Sequence, residues 1–182
     1  MKQRYFLLCI ILCLCGCTQS VGKIQANPFS KNEETLLSIF LEDIPIRVKI
    51  TPPNQAQKVT YILKKITHTG ETIIEESDFL MQDEKEINPF ELILRYNDHT
   101  LQLILGSHRF LKPLKLPELM YGMAGKIYES KLNKSIQLNE FIPLFVYKDS
   151  SNTTLENIDN LLRKDFIVEE QEIYYIFGIQ CE

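Results

Sequence analysis

The sequence predicts an α+β fold, a mainly antiparallel sheet with about three helices packed on it. Two observations carry that expectation. Apolar and polar residues alternate with a period of two over residues 44–50, 59–66, 71–79, 90–96 and 100–106, as strands covered on one side require. Capping-box spacings at Ser30–Glu33 and Thr153–Glu156 each open a run with apolar residues at helical intervals.

Each element follows in chain order. Behind Ser30, the residues Leu36, Leu37, Phe40 and Leu41 recur on one helical face, and Glu33 and Glu34 complement the helix dipole. Ile44, Ile46, Val48 and Ile50 then form one face of a strand that Pro52-Pro53 ends. Two hairpins come next, turning at Thr67-His68-Thr69-Gly70 and at Asn97-Asp98-His99. Residues 82–86 make a charged connection between them. From Pro117, the residues Leu119, Met120, Met123, Ile127 and Leu132 predict a second helix, in which Gly122 and Gly125 each cost ~1 kcal/mol relative to Ala. Residues 141–147 read as an apolar strand that Pro143 marks as an edge or a bulge. Thr153 starts a third helix reaching Leu162, and residues 166–180 read as a hairpin or one long bent strand. The folded part is expected over residues 31–182 as a single α+β domain; a β-rich lobe over 44–112 with a mixed lobe over 113–182 is the alternative.

The first seventeen residues carry four of the five cysteines. Lys2 and Arg4 precede an uninterrupted apolar run over residues 5–15, inside the ~7–15 residues of a signal-peptide core. A membrane-spanning helix needs ~20 such residues. The run ends in Leu14-Cys15-Gly16-Cys17, which resembles the lipobox of bacterial lipoproteins, an aliphatic residue and two small residues before the modified cysteine. The resemblance covers residues 1–17 alone, and Cys15 departs from its usual Ala or Ser. It implies a diacylglyceryl group, palmitate among its acyl chains, on the Cys17 thiol and signal cleavage between Gly16 and Cys17. Residues 1–16 are then a discarded signal peptide, and 17–30 a lipidated flexible tether, polar and holding Gly22 and Pro28. It implies too a location on a bacterial membrane, facing the periplasm or the exterior. In a two-membrane envelope, Thr18 in place of Asp fits sorting to the outer membrane.

Loss of residues 1–16 removes two basic groups and no acid, leaving 18 Lys and Arg against 24 Asp and Glu, a formal −6. Such mild, mixed charge disfavours nucleic acid and a polybasic grip on anionic lipid. Attachment through acyl chains, at ~0.8 kcal/mol per buried CH₂, takes its place. Cys181 is the one remaining thiol, which leaves no intramolecular disulfide and reads as a bystander.

Catalytic signatures are sparse. There is no HExxH helix, G-x-S-x-G elbow or phosphate-binding glycine loop. His68 and His99 fall in turns and read as solvent-exposed. Ser107 and His108 are neighbours on a strand and point to opposite faces. A metal site joining Asp98, His99 and His108 across their hairpin is the weaker alternative. The acidic residues Glu71, Glu75, Glu76 and Asp78, with Asp83, Glu84 and Glu86, read as a solvated strand face and loop. No catalytic residue, metal ligand or cofactor is assigned.

Large apolar side chains are abundant on two strands. Phe141, Phe145 and Tyr147 on one, and Tyr174, Tyr175 and Phe177 on the other, fill both strand faces. A central strand covered on both sides explains them; so does a partner-docking edge, since Tyr and Phe favour interface cores. The expected function is a lipid-anchored, non-catalytic binding or assembly subunit, its partners the membrane and another envelope protein or cell-wall component. A capture module for a small apolar ligand, needing an enclosed aromatic pocket, is the alternative, and an anchored hydrolase is a third.

Overall fold

A computed structural model describes residues 21–41, 45–81, 87–97, 99–106, 109–111, 113–116, 125–127, 133–149, 163 and 166–182. Among these residues all pairing between strands is antiparallel, and twelve strands build two sheets. The larger sheet joins β1 (Gly22–Ala26), β2 (Ile46–Thr51), β5 (Phe90–Asn97), β6 (Thr100–Leu105), β7 (Arg109–Phe110), β8 (Leu114–Lys115) and β10 (Asn133–Ile136). Its order is β10-β1-β2-β5-β6-β7, with β8 also on β6. The smaller sheet joins β3 (Lys58–Thr67), β4 (Gly70–Met81), β9 (Gly125–Ile127), β11 (Phe141–Asp149) and β12 (Ile173–Cys181), in the order β4-β3-β12-β11-β9.

The two sheets share one apolar core. Alternation sends Ile24, Val48, Ile50, Leu92, Leu94, Leu101 and Leu103 inward from the larger sheet. They meet Val59, Tyr61, Leu63, Phe145, Tyr147, Tyr175, Phe177 and Ile179 of the smaller one. The smaller sheet is covered on its second face as well, where Ile66, Val146, Tyr174 and Ile176 pack under Val168 and Phe166. That double cover explains why β11 and β12 are apolar on both sides.

The two predicted hairpins form at β3–β4 and β5–β6. Pro143 marks a bulge. The register between β11 and β12 shifts between Pro143 and Phe145, which lets consecutive Leu144 and Phe145 both enter the core. Opposite Pro143 sits Gly178, where a Cβ would clash with the Ile142 carbonyl oxygen and lie 2.6 Å from the Phe141 ring.

Several expectations are corrected. The fold is β-rich, and one helix, α1 (Lys31–Phe40), stands among the described residues where about three were expected. The capping box at its start is realised: the Ser30 amide donates to Glu33 Oε2 at 2.7 Å, and the Glu33 amide donates to Ser30 Oγ at 3.4 Å. Yet α1 does not pack into the core, because none of its residues is buried. The helix expected behind Pro117 contains β9 instead, paired with β11 through Phe145–Ile127 and Tyr147–Gly125. Pairing with the open side of an apolar strand outweighs a helical periodicity weakened by glycine. The remainder of that helix and the one behind Thr153 lie outside the described residues.

Residues 166–180 make a single strand, β12, preceded by a non-strand segment that covers the smaller sheet. Part of the span expected as a flexible tether, 17–30, is strand: β1 begins at Gly22 and pairs with β10 on one side and β2 on the other. Ile24 is fully buried, and Gly22 presses so close to Pro53 that a Cβ would sit 2.6 Å from it.

Candidate functional site

Five of the six aromatic residues offered as a partner surface are interior. Phe145, Tyr147, Tyr175 and Phe177 belong to the inter-sheet core, and Tyr174 is fully buried on the opposite face of its strand. Phe141 is half-buried, its ring 4.2 Å from Lys64 Nζ. β12 is the central strand of its sheet, flanked by β3 and β11, so it presents no open edge. The five buried residues therefore present no open docking edge; Tyr147 packs against Tyr96 at 5.4 Å and against Tyr175 at 6.3 Å between ring centroids.

Two polar clusters lie inside this aromatic packing. At one end of the core the Tyr147 hydroxyl accepts from the Tyr96 hydroxyl at 3.0 Å and lies 3.0 Å from His99 Nδ1. His99 holds its ring there from a left-handed backbone position, φ 54°, at the β5–β6 turn. It is half-buried where an exposed turn residue was expected. Burial first, then the Tyr96 hydrogen bond, pushes the Tyr147 phenol far up, so it stays protonated. A neutral phenol enclosed in this way is a structural hydrogen-bonding group and a poor nucleophile.

The second cluster is an ion pair with almost no solvent contact. Lys148 Nζ lies 2.6 Å from Glu172 Oε1, with side-chain exposures of 2% and 10%. The Tyr174 hydroxyl donates to Glu172 Oε2 at 3.0 Å, and its ring lies 5.4 Å from the ammonium. Sequence reasoning missed both charges. The available signal was their place at the ends of two apolar strands that pair Lys148 with Tyr174.

An open cleft of about 370 Å³ lies between the β3–β4 turn, including His68 and Glu71, and a wall formed by Arg163, Phe166, Ile167 and Val168. Glu71 is held by Lys64 at 2.8 Å. Three other acids of the acidic stretch are also placed: Glu75 accepts from the Tyr61 hydroxyl at 3.1 Å, while Asp78 accepts from Thr60 at 2.6 Å and lies 3.6 Å from Lys58. Glu76 is exposed on the same strand. They brace β4 on β3. Among the described residues no group of three or more His, Cys, Asp or Glu is arranged to hold a metal ion. His68 lines the cleft and His99 is bonded to Tyr147; Asp98 and His108 lie outside the described residues, as do Cys17, Gly16 and the whole signal segment.

Among the described residues α1 carries an exposed apolar stripe. Leu36, Ile39 and Phe40 occupy positions i, i+3 and i+4 and are 60%, 66% and 80% exposed. The N-terminal end of α1 is tied down by Glu33 to Arg47 at 3.3 Å, and Arg47 also stacks over Phe29 at 4.4 Å. Comparison of the chain with known family models, with curated proteins and with solved structures finds no match.

Proposed function

We propose that the chain is a lipoprotein of a bacterial envelope, anchored through an acylated Cys17, whose β-sandwich works by docking a partner and not by catalysis. The lipobox-like Leu14-Cys15-Gly16-Cys17 supports the anchor, and the start of β1 at Gly22 leaves a short link between lipid and domain. On this reading the protein faces the periplasm or the exterior, on the outer membrane where the envelope has two. The partner is another envelope protein or a cell-wall component.

The observation that carries the docking role is the apolar stripe of α1. A helix whose Leu36, Ile39 and Phe40 are mostly exposed offers a ready surface, and full burial of each contributes ~1.5–3 kcal/mol. Neither alternative has equal support: the aromatic residues that ligand capture needs are packed in the core, and the cleft is open to water.

A photo-crosslinking residue at Phe40, in the native lipoprotein in its own host, tests this. A reproducible protein or cell-wall adduct, lost on Leu36→Ser, supports docking through α1. Absence of any adduct above an acylated control removes it. For the anchor, Cys17→Ala abolishes lipid labelling and membrane retention; labelling that persists refutes it.

A further inference from the structure

The fold gathers cations that lie apart along the sequence onto one face of the larger sheet. β1 and β2 send their even-numbered residues into the core, so odd-numbered residues emerge on the outer face of the larger sheet. Register places Lys23 beside Thr51, Gln25 beside Lys49, and Arg47 beside Ile93. Arg95 lies beside Gln102, and Lys115 beside Thr100, on that same face. Among the described residues Lys23, Arg47, Lys49, Arg95 and Lys115 therefore share it; Glu91 stands beside Lys49 in register and accepts from Asn27 at 2.6 Å, and Glu33 reaches Arg47 at 3.3 Å. Lys23, Lys49 and Lys115 are exposed, and Ile93 and Ile104 pair at the centre, partly exposed. The opposite sheet carries the acids of β4 beside Lys58, Lys64 and Lys65 of β3, and there Lys64 pairs with Glu71 and Lys58 with Asp78.

The chain outside the structure says what this face meets. Four residues, Thr18 to Val21, separate Cys17 from Gly22, and the five Cα-to-Cα steps reach at most ~18 Å. They enter β1, the strand that bears Lys23. We propose that the outer face of the larger sheet docks on an anionic lipid bilayer, Lys23, Lys49 and Lys115 meeting phosphate headgroups around the Ile93–Ile104 pair. This inference rests on the anchor at Cys17 for the position of the bilayer. It fixes the orientation of the domain: β3 and β4, with the acids of β4, turn away from the membrane.

The test uses unlipidated chain, residues 17–182 with Cys17→Ser, which retains every described strand and both apolar clusters. Its sedimentation is measured with vesicles of phosphatidylglycerol and phosphatidylcholine, and with phosphatidylcholine alone. Binding to the anionic vesicles only is expected, weakening as salt is raised through ~0.15 M, where the screening length is ~8 Å. Lys23→Gln with Lys49→Gln lowers that affinity by about 30-fold, roughly fivefold for each lysine lost. Thr69→Glu with Thr72→Glu, exposed on the β3–β4 hairpin, changes net charge equally and leaves affinity within about twofold.

Equal losses in the two pairs, or equal binding to both vesicle types, overturn the proposal. So does binding to a soluble polyanion such as heparin with none to anionic vesicles. Since no acyl chain is present, failure here is separate from failure of lipid labelling at Cys17.

Discussion

Removing one half of the Lys148–Glu172 pair has a magnitude that the structure determines. In Lys148→Met the Glu172 carboxylate, 8% exposed, loses the ammonium and keeps the Tyr174 hydroxyl as a donor. In Glu172→Gln the ammonium of Lys148, 1% exposed, loses the carboxylate at 2.6 Å. Breaking a buried ion pair by removing one partner costs ~3–5 kcal/mol, and for a domain of this size each kcal/mol moves Tm by ~2–4 °C. Each single variant should therefore melt about 6–20 °C below the parent. The double variant removes both charges and keeps an acceptor for Tyr174, so its main cost is an unpaired amide, ~1–3 kcal/mol. It should be more stable than either single variant, with a coupling energy of about 3 kcal/mol or more. Urea titration of the four proteins, followed by circular dichroism, measures the cycle. Additive losses, or single-variant losses below ~1 kcal/mol, would refute the idea that the two charges hold one another in the interior.

Gly178→Ala places a methyl against the Ile142 carbonyl and the Phe141 ring at the β11 bulge, and should cost ~1–3 kcal/mol by urea titration. Burial pushes the Cys181 thiol up to about 11 from its ordinary 9.0. Its contribution to stability is thus complete below pH 9, where the unfolded thiol is protonated, and is lost as pH rises through 11; Cys181→Ser should flatten that decline, and the native thiol should resist DTNB until the domain unfolds. The Ser30 backbone hydrogen bond lowers the Glu33 carboxyl below its ordinary 4.5, so that contact contributes above pH 4.5 and is lost as pH falls through the folded value. Ser30→Ala should speed amide exchange in α1 about fivefold, with the core amides unchanged. Phe40→Ser should leave global stability within ~0.5 kcal/mol while weakening any α1-dependent adduct, because α1 has no buried residue.

Legibility followed how local each cause was. The α1 capping box, both hairpins and β2 were readable because their pattern and turn residues lie within a few positions of one another. β1 was not: one buried isoleucine and a glycine against Pro53 resemble a linker until β10 and β2 supply partners from residues 133–136 and 48–51. β9 failed for the same reason, its pairing with β11 being invisible to periodicity. The candidate site fared worse. The aromatic residues were conspicuous, but only strand order shows that β12 is enclosed between β3 and β11.

By itself the sequence determined an antiparallel, alternating chain and the helix start at Ser30, both written in neighbouring residues, as is the lipobox-like pattern Leu14–Cys17 on which the proposed anchor rests. Only the tertiary structure decided which apolar side chains stay exposed, leaving α1 bare while Tyr174 and Phe177 vanish, and which cations share a face. The physical reason is that burial and potential are sums over neighbours in space. Lys23, Lys49, Arg95 and Lys115 lie far apart along the chain, and strand register alone brings them onto one face.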